Sequence, residues 1–264
     1  MGSVLLAAIL LKLGAYGFIR IALPILPKAA HDWAPWIGLL AVIGIIYGAL
    51  CCLAQTDMKR LIAFSSVSHM GFVMLGIATL TTFGINAAIF GMVAHGLITG
   101  MLFFVTGSVQ HTYGTRQISR LGGLLKQAPK MGWILGFAVM ASLGLPGLAG
   151  FWGEFPAVLS AYSPAQQAMG LFGGNPDPTF RIYMVIAAVG TVLAAGYLLW
   201  MYQRVAFGEP KPEFADAHIH DVGIFEWIAW TPMLLGILVL GIYPNIIFHV
   251  TDPTVTRLTQ LIGH

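Results

Sequence analysis

Residues 131–162 read MGWILGFAVMASLGLPGLAGFWGEFPAVLSAY, an apolar stretch whose single charged residue is Glu154. Wound as one α-helix at about 1.5 Å per residue, it would be roughly 48 Å long, well beyond the ~30 Å of hydrocarbon in a bilayer. Gly144-Leu145-Pro146-Gly147 sits in its middle. Pro146 has no N–H to donate and its ring clashes with the carbonyl of Ser142, so the stretch is expected to break there. Unwound backbone is tolerated at membrane depth only inside protein or against a water-filled cavity. Broken helices of this kind recur in transporters. Glu154 follows the break by about two turns. A simple proline kink in a long tilted helix is the plainer reading, but it leaves the carboxylate unexplained.

The rest of the chain fits a membrane setting. Of its 264 residues 58% are hydrophobic and 9% charged, and the mean hydropathy is +0.83. A soluble domain carries roughly 25% charged residues, so a soluble globular enzyme is excluded. The net charge of +3 is too small and too scattered for nucleic-acid binding. Cys51 and Cys52 are adjacent in an apolar run, which excludes a disulfide framework and a zinc site. Seven runs are long enough to span, at about 3–23, 35–54, 60–80, 84–107, 131–162, 180–204 and 225–249. They are continuous rather than alternating, so the expected fold is all-α: a single polytopic transmembrane helix bundle over residues 1–264 with one broken helix. The first run lacks the basic lead of a signal peptide. It also opens without a cap, so the sequence is expected to be the later part of a longer protein.

Alternation of the loops puts Lys59, Arg60, Arg116, Arg120, Lys126, Lys130, Arg204 and Lys211 on one side. Arg20, Lys28, Arg181 and Arg257 fall on the other. The positive-inside rule makes the richer side cytoplasmic. The Pro-rich connection over residues 205–224 is then an exposed cytoplasmic loop. Its His218-Ile219-His220-Asp221 has the look of a metal site, yet solvated loop histidines are the better reading because no further ligands lie nearby. No phosphate loop, Cys/His cluster or nucleophile elbow occurs. The expectation is a chain with no cofactor, no metal and no redox centre of its own.

Charged groups deep in a bilayer are costly and usually functional. Only Lys12 and Glu154 fall well inside a span; Arg20, Arg60, Arg181, Arg204 and Glu226 lie near span ends, where long side chains reach the interface. Snorkelling is the alternative for Lys12, but from a near-central position its stem would have to stretch over two turns. On the fourth span His95, Thr99 and Thr106 share one face, as do Ser65, Ser68 and His69 on the third. His95 is the stronger candidate, since its hydroxyl stripe can hold water. His69 is balanced between a proton-transfer role and simple hydrogen-bonded packing. Histidine titrates near pH ~6.5 when unperturbed, so ammonium, imidazole and carboxylate together suit a proton relay.

Four segments carry a family resemblance. Residues 2–17, GSVLLAAILLKLGAYG, resemble the lysine-bearing helix of the antiporter-like subunits of proton-pumping NADH–quinone oxidoreductase, respiratory complex I. Residues 57–71, DMKRLIAFSSVSHMG, are similar to that family's strongest signature, and residues 94–97, AHGL, and 150–155, GFWGEF, complete the pattern. Within the family, a glutamate on the broken helix is typical of the M-type (chain 4) members, whereas L- and N-type subunits and sodium/proton antiporters carry a lysine. No long amphipathic helix is expected after residue 250, which also argues against the L type.

The resemblance implies a fourteen-helix fold of two inverted repeats, of which the seven spans correspond to helices 8–14. The glutamate–lysine pair of the first half has no counterpart. It also implies roles: Lys12 as the central lysine, Glu154 as the residue facing the outer exit, and His95 on the path between them. The implied function is proton translocation coupled to electron transfer from NADH to quinone, in a multi-pass subunit of a bacterial plasma membrane. Its partners would be the other membrane-arm subunits, the lipid bilayer, protons and internal water, and no nucleic acid. Two alternatives stand beside it: a subunit of a multisubunit sodium/proton antiporter, and a structural membrane-arm subunit that conducts nothing.

Overall fold

The computed structural model describes residues 2–171, 173–214 and 219–263. α1 covers residues 2–25 and is interrupted by two π-helical turns, Leu6–Leu10 and Phe18–Ala22. α2 (Pro27–Leu53), α3 (Met58–Ala78) and α4 (Thr82–Tyr113) follow, then the broken pair α5 (Pro129–Ser142) and α6 (Ala149–Ser160). α7 (Asp177–Ala206), α8 (Ile224–Ile242) and α9 (Asn245–Ile262) complete the chain. Six helices are long and apolar enough to cross a membrane by themselves, namely α1 to α4, α7 and α8. α5 and α6 have 14 and 12 residues, too few for either to cross alone.

Local chemistry sets the ends. Asp57 caps α3 by accepting from the Arg60 amide at 3.0 Å, and Thr81 caps α4 by accepting from the Gly84 amide at 3.0 Å. α3 and α4 are the inner helices, buried over most of their apolar length, while α1 and α8 are largely uncovered. The helix break lies over residues 143–148, where Gly144 and Gly147 take φ of +70° and +91°. Only glycine adopts that left-handed backbone without strain, so the turn around Pro146 is set by these two residues.

Two boundaries depart from the expected spans. α2 begins at Pro27 rather than near residue 35 and runs through Pro35. An internal proline orphans the carbonyl four residues earlier. Here that carbonyl, His31 O, accepts instead from the Met169 amide at 3.2 Å, so the helix tolerates the proline. The run expected over 225–249 ends at Ile242. Tyr243, restricted because it precedes Pro244, leaves helical geometry at φ −126°, ψ 71°.

The eighteen-residue helix α9 then follows, with Val255 and Ile262 buried, where no long amphipathic helix was expected after residue 250. Asn86 of α4 holds it through Asp252 and Thr251, each at 2.8 Å. On the basic face, the segment after α4 pairs with the loop after α7 through Arg120–Glu213 and Lys126–Glu209. His218 lies outside the described residues, and among those described no group of three His, Cys, Asp or Glu side chains comes together.

Candidate functional site

A π-helical turn, Leu6–Leu10, lies just before Lys12 in α1. Lys12 Nζ donates to a carbonyl of that turn, Ala7 O, which keeps the half-buried ammonium inside the bundle. The same nitrogen lies 2.6 Å from His95 Nδ1 on α4. Thr99, one turn further along α4, brings its hydroxyl within 3.1–3.2 Å of the His95 ring nitrogens. Thr106, placed on the same stripe, turns its hydroxyl to the Leu102 carbonyl of its own helix at 2.7 Å. The polar path therefore does not follow the α4 stripe. It crosses to α3.

His69 on α3 is the crossing point. Its ring centroid is 5.5 Å from that of His95. Its Nδ1 lies 2.5 Å from Glu154 Oε1, and its Nε2 lies 3.2 Å from the Ser142 hydroxyl. Ser142 ends α5 and Glu154 sits in α6, so one imidazole ties together the two sides of the helix break. Glu154 reaches this position because α6 presses onto α4 where neither has a side chain: a Cβ on Gly153 would stand 2.4 Å from Gly91 Cα.

All four candidates thus converge, in the order Lys12, His95, His69, Glu154. The resemblance puts His95 on the path between Lys12 and Glu154; in the structure His69 lies between His95 and Glu154. The reason is register, because two helices 85 residues apart in sequence can be paired only by packing. His69 and His95 both border a cavity of about 20 Å³, which Ser142, Glu154 and the apolar Phe72, Val73 and Ile98 also line. That is room for a single water, with polar partners on several sides. Both imidazoles are buried, His69 4% and His95 8% exposed, in an otherwise apolar interior. A neutral imidazole accepts at one nitrogen while donating at the other, so this arrangement can pass a proton without moving a heavy atom far.

Ser142 and the Ala7 carbonyl were not singled out from sequence. Ser142 carried a faint signal, a hydroxyl at the last residue before the break; the carbonyl carried none, since every residue has one. Tyr197 of α7 was missed as well. Its buried hydroxyl makes no hydrogen bond of ordinary geometry, although Ser68 and Cys52 lie beside it and Glu154 is an electrostatic neighbour.

A family model described as NADH:quinone oxidoreductase/Mrp antiporter, TM matches residues 1–174, which include all four candidate residues. The chain belongs to this family. Among curated relatives it is 40% identical over 259 residues to NADH-quinone oxidoreductase subunit M of Rhodobacter capsulatus, covering 98% of this chain and 48% of that protein. With NADH-ubiquinone oxidoreductase chain 4 of Marchantia polymorpha it shares 36% identity, covering 98% and 49%. The chain spans about half the length of the curated relatives it matches.

Of solved structures, respiratory complex I from Thermus thermophilus with bound NADH contains a chain that aligns with a TM-score of 0.85 and 28% identity, over 97% of this chain and 50% of that one. The Mrp complex from a Dietzia species aligns with a TM-score of 0.71 at 19% identity, over 87% and 49%, a likeness of fold alone. Bacterial relatives and several apolar helices mark a multi-pass plasma-membrane protein.

Proposed function

We propose that this chain is a proton-translocating membrane subunit, or the corresponding half of one, working with other membrane-arm subunits of an NADH–quinone oxidoreductase. Electron transfer from NADH to quinone takes place elsewhere in that assembly and drives proton movement here. One observation carries the reading: two hydrogen-bonded pairs, Lys12–His95 and His69–Glu154, meet where their imidazoles stand 5.5 Å apart beside a one-water cavity.

Lys12 Nζ–H points its proton at His95 Nδ1. From the His95 ring the proton reaches the cavity water and then His69, and His69 delivers it along the 2.5 Å contact to Glu154. Glu154 releases it towards the face opposite the basic one, where a cavity of about 320 Å³ touches α6 at Pro156. Coupling is electrostatic. A change of about 1.4 kcal/mol in the interaction between two sites alters proton affinity tenfold, so charging one end of the row biases the other.

The decisive experiment is Glu154→Gln in the assembled complex reconstituted into vesicles, with NADH-driven acidification as the readout. Loss of acidification is expected; full pumping would reject Glu154 as the exit residue. A chain that only holds its neighbours together would leave pumping unchanged in Glu154→Gln and Lys12→Met alike. The sodium/proton antiporter reading has a fold likeness in its favour, and sodium-dependent proton exchange by vesicles without NADH would support it instead.

A further inference from the structure

Three cations meet at the head of α3, outside the relay. Lys59 and Arg60 lie in its first turn. Arg116 is brought alongside by a β-bridge between Asp57 and Gln117 and by the bonds Met58 N to Arg116 O, 3.0 Å, and Ile118 N to Thr56 O, 2.9 Å. Asp57 is the one carboxylate there, and both its oxygens are engaged. Oδ1 accepts from the Arg60 amide at 3.0 Å, and Oδ2 lies 2.6 Å from Arg116 Nε. Among the described residues no carboxylate pairs with the Lys59 ammonium or the Arg60 guanidinium. On the same face Arg120 and Lys126 each pair with a carboxylate, Glu213 and Glu209.

These cations rim a cavity of about 340 Å³ whose far wall is apolar, built from Leu6 and Leu11 of α1 and Phe103 of α4. Lys59 and Phe103 also border an adjoining cavity of about 280 Å³. The carboxylate in that second cavity, Glu226, accepts from the Ser108 hydroxyl and from the Gly223 amide at 2.9 Å and forms no ion pair with Lys59.

We infer that this groove binds a phospholipid with a net negative headgroup, its phosphate at Lys59, Arg60 and Arg116 and its acyl chains along Leu6, Leu11 and Phe103. The occupant must be an amphiphile, because cations line one end and hydrocarbon the other. A free inorganic anion would leave the apolar wall bare. Guanidinium groups match phosphate oxygens in a planar two-pronged geometry, with lysine adding a point charge. The site lies on the face richer in Lys and Arg, the cytoplasmic one by the positive-inside rule, where basic pockets between helices meet anionic headgroups. Ala7, whose carbonyl holds Lys12, lines the same cavity, so lipid and relay touch one helical turn. The binding itself does not depend on proton transfer.

The test is native mass spectrometry of the purified full chain in detergent, titrated with phosphatidylglycerol or with phosphatidylethanolamine of identical acyl composition. Phosphatidylglycerol should be retained about tenfold more strongly, and K59Q/R60Q should bring it down to the level of phosphatidylethanolamine. K126Q/K130Q, which removes two charges elsewhere on the same face, should leave the preference intact, and inorganic phosphate should not displace the lipid. The inference is overturned by equal retention of the two lipids in the unaltered chain, which decides the matter even if a variant misfolds. It is also overturned by a preference that survives K59Q/R60Q, by equal loss in both double variants, or by displacement with inorganic phosphate. Absence of bound lipid in every arm would leave the groove to a protein segment.

Discussion

The two ends of the relay solve one problem by opposite means. At the Lys12 end the helix stays continuous and only loosens by one π-helical turn, because a four-carbon stem carries the ammonium to both the Ala7 carbonyl and His95. At the Glu154 end the helix is fully broken and α6 is pressed against α4 at Gly153 and Gly91, because a two-carbon stem reaches His69 only if the backbone itself comes close. A long side chain can stay on a regular scaffold, whereas a short one requires its scaffold to be reshaped. The backbone beside Glu154 should therefore be the more fragile of the two.

Substitution at either end is the strongest way to break that comparison. Glu154→Gln and Lys12→Met should each reduce NADH-driven acidification by vesicles to background, since a relay missing one titrating member has no detour through apolar packing. His69→Gln should follow. Transfer by a positioned acid–base group is worth about 10²–10⁴-fold, so proton flux should fall by at least about a hundredfold. A loss no larger than that of a remote histidine such as His111, which is exposed, would show that His69 only packs.

Backbone closeness is sharpened by two glycines. Gly153→Ala puts a Cβ 2.4 Å from Gly91 Cα and should cost about 1–3 kcal/mol by overpacking, read as a lowered thermal midpoint with flux reduced alongside. Gly14→Ala, on α1 with nothing within 4 Å, should be neutral or stabilising by up to ~1 kcal/mol. The smallest effect belongs to Ser142→Ala. One hydrogen bond of about 0.5–1.5 kcal/mol to His69 should slow proton flux severalfold without changing assembly, measured on the same vesicles.

Some of this was readable before any coordinates. Lys12 and Glu154 announce themselves as the two charges deep inside apolar runs, and Gly144-Leu145-Pro146-Gly147 announces the break. The path of α2 through Pro35 was not readable. It depends on the Met169 amide, 134 residues beyond Pro35, covering the orphaned His31 carbonyl. Nor was the end of α8 at Pro244, since the apolar run continues past it into α9. His69 and His95 looked unequal from their helical faces, yet the structure uses both, and the less favoured one touches Glu154.

Composition and apolar run length alone determined a bundle of membrane helices, because hydrocarbon rejects charge and demands that each span satisfy its own backbone. They also determined which two charges had to be exceptions. Packing decided everything that depends on rotation and depth of one helix against another: that His69 stands between Glu154 and His95, that Ser142 bonds His69, and that the two imidazoles meet 5.5 Å apart beside a one-water cavity. Periodicity places a residue on a face of its own helix, but only side-chain volumes, and at Gly91 and Gly153 their absence, decide which face of the neighbour it meets.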